Sequence, residues 1–229
     1  MKKKILIILA IIAVILIGFI GYFVISDLRQ EEKLKSELNE LSQLSNAENI
    51  DMDKINEKLN TIVTKDDYAI VEKAFKDYLS DSFENSLEIA NILNDEKITQ
   101  SLTPENYKND GPEFTNTKEY LTQTIEQLEY CKNKYNEFFT DEKAMSYIND
   151  KNLDDYYVNL YKEEIVGDLS NSDKTVENSI NEVISILDKS ENIIDFLIEN
   201  KKHWEIENDN IVFDNTDLAR EYDDLVSQL

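Results

Sequence analysis

Beyond Asp27 the chain contains only two glycines, Gly111 and Gly167, and two prolines, Pro104 and Pro112. Folds built from β-hairpins need turn residues at short intervals, because tight hairpin turns require positive φ and proline sets turn corners. A long stretch with so little punctuation is confined to helices with few breaks.

Apolar spacing agrees with that constraint. Leu28, Leu34, Leu38, Leu41 and Leu44 predict an amphipathic helix standing as a stalk, with too few heptads to specify a coiled coil. The polar run Ser45-Asn46-Ala47-Glu48-Asn49 marks its end. A short helix follows around Met52, Ile55, Leu59 and Ile62. A long one starts near Asp66 and carries Tyr68, Val71, Phe75, Tyr78, Leu79, Phe83, Leu87, Ala90 and Leu93 at close to a 3.6-residue period. Thr103-Pro104-Glu105 is a helix start with Thr as cap and Pro at the first position. Asp110-Gly111-Pro112 is a loop. The next long helix runs to about Phe139 on Phe114, Leu121, Ile125, Leu128, Tyr135 and Phe138, with Cys131 at the edge of the stripe. Thr140 caps a short helix through Met145, Tyr147 and Ile148. A tyrosine-rich helix then carries Leu153, Tyr156, Tyr157, Leu160, Tyr161 and Ile165 and is expected to stop at Gly167. A last long helix is expected from Asp173 to Ile198. These elements predict an antiparallel bundle of helices.

One segment breaks the helical rule. In "HWEIENDNIVFD", Trp204 and Ile206 alternate with glutamates before the polar turn Asn208-Asp209-Asn210, and Ile211, Val212 and Phe213 follow it. This predicts a single β-hairpin over about 203–213. A lone hairpin needs something to pack on, so Trp204, Ile206 and Phe213 are expected against the bundle or against a closing helix with Leu218, Tyr222 and Leu225. The same three residues are the candidates for presentation to a partner, since Trp is enriched at binding hot spots.

The first thirty residues make a separate statement. Lys2, Lys3 and Lys4 precede an uncharged, mostly apolar run from Ile5 to Ile25, and Asp27 follows it. Such a run is long enough, as a helix, to cross the roughly 30 Å hydrocarbon core. It exceeds the short apolar region of a cleavable signal, and Val24-Ile25-Ser26 is a poor cleavage site. The expectation is a retained single-pass anchor with the lysines in the cytoplasm and the rest of the chain outside. The domain reading is therefore an anchor over 1–26, a juxtamembrane stalk over 27–49, and an acidic helical body over 50–229. The fold class is mainly all-α.

Charge restricts partners. All 48 Asp and Glu lie after residue 26, against 21 Lys and Arg there, a net charge of −27 for that part of the chain. A polyanion is not expected to seek nucleic acid and stands off anionic lipid; basic protein partners suit it. Heavy use of Lys, Asn, Ile, Asp, Glu and Tyr is compatible with an AT-rich bacterial source. The single cysteine, Cys131, allows no disulfide within the chain.

No catalytic constellation emerges. His203 is the only histidine, which excludes His-rich zinc sites and the HExxH pattern. Nothing ties a serine or Cys131 to it as a nucleophile pair. Asp150-x-Asn152-x-Asp154 matches the opening of an EF-hand loop, but Asp155 stands where glycine is needed and Tyr161 where the bidentate glutamate belongs. No cofactor or metal is expected. The sequence therefore points to a membrane-anchored extracytoplasmic binding or scaffold protein of a bacterial envelope. The alternatives are a ligand-binding sensor domain working through a partner protein and, further off, an enzyme acting on envelope polymers.

Overall fold

The computed structural model describes residues 29–45 and 51–229. The expected membrane span from Ile5 to Ile25 lies outside the described residues. Among those described, no helix is long and apolar enough to cross a membrane.

The described residues form nine helices and one two-stranded antiparallel sheet. In chain order these are α1 (Arg29–Ser45), α2 (Met52–Leu59), α3 (Asp66–Leu93), α4 (Glu96–Gln100), α5 (Pro104–Asp110), α6 (Thr115–Phe138), α7 (Asp141–Ser146), α8 (Asp155–Glu199), β1 (Trp204–Glu207), β2 (Asn210–Phe213) and α9 (Thr216–Val226). The chain packs as two compact units. One, the hairpin unit, holds Ile89–Lys132 and Asn178–Leu229; the other, the α1 unit, holds the described residues up to Glu88 together with Asn133–Glu177.

In the α1 unit, the helix expected as a free stalk is instead part of the body. Leu34, Leu38 and Leu41 of α1 are no more than 1 % exposed. Three fully buried leucines on one face contribute about 1.5–3 kcal/mol each, which a stalk in water would forgo. Ile55 of α2 and Val71 and Phe75 of α3 are buried in the same unit. An aromatic cluster extends this core. Tyr78 stacks on Phe138 at 5.1 Å between ring centroids, and Phe75 meets Tyr161 edge-on at 5.1 Å. With Tyr68 on Tyr157, these pairings run α3 parallel to the start of α8, and the Glu88–Lys134 pair beside Tyr78–Phe138 makes α3 antiparallel to the end of α6.

Two local readings are corrected here. The apolar series expected on α3 through Phe83 and Leu87 does not set the buried face, for Leu87 is 41 % exposed while Ser82, Asn85 and Ser86 are buried. The small polar residues go inside because each satisfies itself on its own helix. Ser82 Oγ donates to the Tyr78 carbonyl and Ser86 Oγ to the Ser82 carbonyl, both at 2.7 Å, and Asn85 Nδ2 donates to the Asp81 carbonyl. These three side chains strand no donor, so the desolvation penalty is met locally. The second correction concerns Gly167, which does not stop a helix: α8 is continuous from Asp155 to Glu199. An internal glycine costs only about 1 kcal/mol. Buried Tyr161 and Val176 are fifteen residues apart, close to four turns, so an unbroken helix keeps both on one face.

In the hairpin unit, α6 and α8 run antiparallel, tied by Lys118–Asp195, Thr122–Glu191 and Lys132–Asn181. The buried residues of α6 here are Thr117, Leu121, Thr124, Leu128 and Cys131, spaced alternately by four and three. Cys131, at 3 % exposure, belongs to that seam and not to its edge. Thr103 caps α5 as its sequence implied, accepting from Asn106 N, with Pro104 at the first position.

The loop from Asp110 to Phe114 is tightly made. Phe114 is fully buried with φ of +49°, a left-handed conformation unusual for a bulky residue. It is held by its own N–H to the Asp110 carbonyl at 2.8 Å, while the Asp110 carboxylate accepts from Thr117 N and Oγ1, each at 2.7 Å. Gly111 is required sterically. A Cβ there would press on the Tyr107 carbonyl oxygen, and would stand 3.0 Å from the Trp204 ring and 3.1 Å from Phe114. The backbone carbonyl cannot yield as a flexible side chain could. Gly111→Ala is expected to cost about 1–3 kcal/mol, as overpacking does, and a urea unfolding midpoint on the purified chain measures it.

Candidate functional site

The residues singled out for partner binding sit in the hairpin unit. Strands β1 and β2 pair with Trp204 opposite Phe213 and Ile206 opposite Ile211, closed by a turn with Asn208 and Asp209 at φ of 48° and 61°. Both turn residues tolerate positive φ, the requirement of a two-residue hairpin. Trp204, Ile206, Ile211 and Phe213 share one half-buried face, and Glu205, Glu207 and Val212 face out.

That face is turned onto helices of its own unit. The Trp204 indole N–H donates to the Leu197 carbonyl at 2.8 Å. Its ring stacks on Phe114 at 5.8 Å and meets Tyr107 at 6.3 Å. Phe213 packs on Phe196 and on Tyr222 of α9, whose hydroxyl lies 3.0 Å from that of Tyr107. Burial raises the pKa of the Tyr107 hydroxyl far above the phenol range, and the neighbouring Tyr222 hydroxyl adds to the shift. At the hairpin's open end His203 and Asp214 lie 3.1 Å apart on the surface.

The α1 unit holds a different arrangement, a chain of charges that enters the core. Glu40 and Glu37 on α1 both meet Lys58 of α2, at 2.6 and 3.1 Å. Glu37 then meets Lys76 of α3 at 2.9 Å, and Lys76 meets Glu72 one turn earlier at 2.8 Å. Glu72 and Lys76 are 0 and 1 % exposed. Charges so buried survive only when every lone pair and proton is used. Lys76 also donates to the Thr61 carbonyl, and Glu72 accepts from Val63 N, Thr64 N and Thr64 Oγ1 at 2.7–3.1 Å. Burial acts to raise the Glu72 pKa, but the bonds from Lys76, Thr64 and Val63 outweigh it and hold the carboxyl below its ordinary range. At the surface end, the bond and charge of Lys58 lower the Glu40 pKa, and Glu40 raises that of Lys58.

Over this chain lies a groove of about 500 Å³ between α1 and α2. Leu44 and Val63 supply apolar wall, Gln43 and Thr61 hydrogen-bonding groups, and Glu37, Glu40, Glu57, Lys54 and Lys58 the charge. A concave site with an apolar wall and a few convergent polar groups is what a small-molecule pocket requires. Sequence reading missed it. The available signal was charge on apolar faces: Glu37 sits between Leu34 and Leu41, and Glu72 and Lys76 stand one turn apart on the stretch that carries Val71 and Phe75.

The EF-hand-like stretch yields no cage. Asn152 takes a left-handed φ of 53° before α8 begins. Among the described residues no group of three or more His, Cys, Asp or Glu side chains is placed to hold a metal. No family model matches the chain, and neither the curated proteins nor the solved structures include a match.

Proposed function

We propose that the chain is a membrane-anchored, extracytoplasmic binding module of a bacterial cell envelope, acting through a protein partner and not as an enzyme. The observation that carries this is the order of charges along the sequence. Three lysines, an uncharged apolar run from Ile5 to Ile25, and a body with a large excess of carboxylates follow one another. That order fits a single span with the lysines on the cytoplasmic side. The net negative body favours basic partner surfaces.

Fractionation of cells making the full chain tests this. The protein should stay with membranes through alkaline carbonate washing, and external protease should remove the helical body from spheroplasts. A mature N-terminus near Asp27, or full protection from protease, overturns it. A second reading, a ligand-binding domain that works through a partner protein, is favoured by the groove between α1 and α2 with its apolar wall and charged floor.

A further inference from the structure

Glu31 of α1 is 3 % exposed, and the charge chain does not include it. One carboxylate oxygen, Oε1, accepts from the Tyr68 hydroxyl at 3.0 Å and from the Tyr156 hydroxyl. The other, Oε2, is buried with no hydrogen-bond partner. No lysine, arginine or histidine forms an ion pair with Glu31 among the described residues. Its two donors are neutral. A carboxylate withdrawn from water without a counter-charge is expensive, and an unmade bond adds the desolvation penalty of the open oxygen.

The surroundings say what would complete it. Tyr157 stands at 87° to Tyr68 and 80° to Tyr156, with centroids 5.1 and 5.2 Å away. Tyr157 thus packs edge to face with both of the other rings, so the three form one aromatic cluster, and the hydroxyls of Tyr68 and Tyr156 converge on one carboxylate. Tyr68 is buried, but Tyr156 is 52 % exposed, so the arrangement lies one side chain beneath the surface. A hard metal ion takes six or more oxygens, and no such set of carboxylates is gathered here. Aromatic faces with one open carboxylate oxygen are the partners of an organic cation.

We infer that Glu31, Tyr68, Tyr156 and Tyr157 form a binding site for a small organic ammonium ion, its charge on Glu31 Oε2 and its alkyl surface on the tyrosine rings. Tyr156 is the wall that moves aside to admit it. The inference rests on the binding-module reading in naming a ligand class, but not on the membrane anchor, so fractionation and titration fail independently.

The test is thermal unfolding of the full chain in detergent micelles, in tetramethylammonium chloride against sodium chloride at equal ionic strength. The melting temperature should rise saturably with tetramethylammonium alone. Glu31→Gln should abolish the rise without lowering the melting temperature in sodium chloride, because the amide oxygen still accepts from the tyrosines and no bare charge remains. Tyr156→Leu, at an exposed position, should weaken binding about fivefold or more through loss of one cation–π wall, and it keeps the test decisive if Glu31→Gln does not fold. Equal response to both salts, no response in the native chain, or a response kept by Glu31→Gln or undiminished in Tyr156→Leu overturns the site.

Discussion

Lys76→Met should destabilise the protein by about 3–5 kcal/mol, the cost of breaking a buried ion pair from one side. The methylene stem of Lys76 is replaced almost atom for atom, so packing is preserved and the loss is electrostatic. What remains is Glu72 at 0 % and Glu37 at 6 % exposure, both without their shared cation. The Thr61 carbonyl loses its donor as well. Denaturant unfolding gives the magnitude, and hydrogen exchange should place the loss in α1, α2 and the first half of α3. Combining Lys76→Met with Glu37→Gln and Glu72→Gln should recover a large part of the stability, since the amide oxygen introduced at position 72 can still accept from Thr64. If the triple variant is no better than Lys76→Met alone, the charge chain is not the source of the effect.

Trp204→Ala should cost about 2–4 kcal/mol, somewhat below the ~3–5 kcal/mol of a fully enclosed ring, because Trp204 is only half-buried. Three contacts go together: the indole bond to the Leu197 carbonyl, the stack on Phe114 and the edge contact with Tyr107. The left-handed Phe114 then loses one of the groups that hold it. As Trp204 is the only tryptophan, its fluorescence reports directly. Emission should be blue-shifted and poorly quenched by iodide in the native chain, and it should move to the red in step with unfolding. Full quenching, with stability unchanged in Trp204→Ala, would mean that the ring is presented outward.

The helices were legible where apolar residues keep a helical period and where a cap is spelled out, as at Thr103 and Thr140. The hairpin was legible because Asn208 and Asp209 are residue types that accept positive φ. Three features were hidden, each for a physical reason. Gly167 looks like a stop, yet the helical face either side of it stays in phase. Ser82, Asn85 and Ser86 look exposed, yet side-chain bonds to their own helix let them go inside. Glu31, Glu37, Glu72 and Lys76 look like surface charges, because a sequence does not show which distant side chains converge on them. Both binding arrangements of the α1 unit depend on such convergence, bringing together residues as far apart in sequence as Glu31 and Tyr156.

The charge chain also settles which alignment of α1 the fold accepts. Leu34, Leu38 and Leu41 form an oily strip, and oil is indifferent to sliding: shifted by one helical turn, leucine would again face the groove it came from. Glu37 is not indifferent. One turn moves it about 5.4 Å along the axis, beyond the 2.9 Å bond to Lys76 and the 3.1 Å bond to Lys58. The leucines supply adhesion, and the carboxylate pair Glu37 and Glu40 set against Lys58 and Lys76 writes the address.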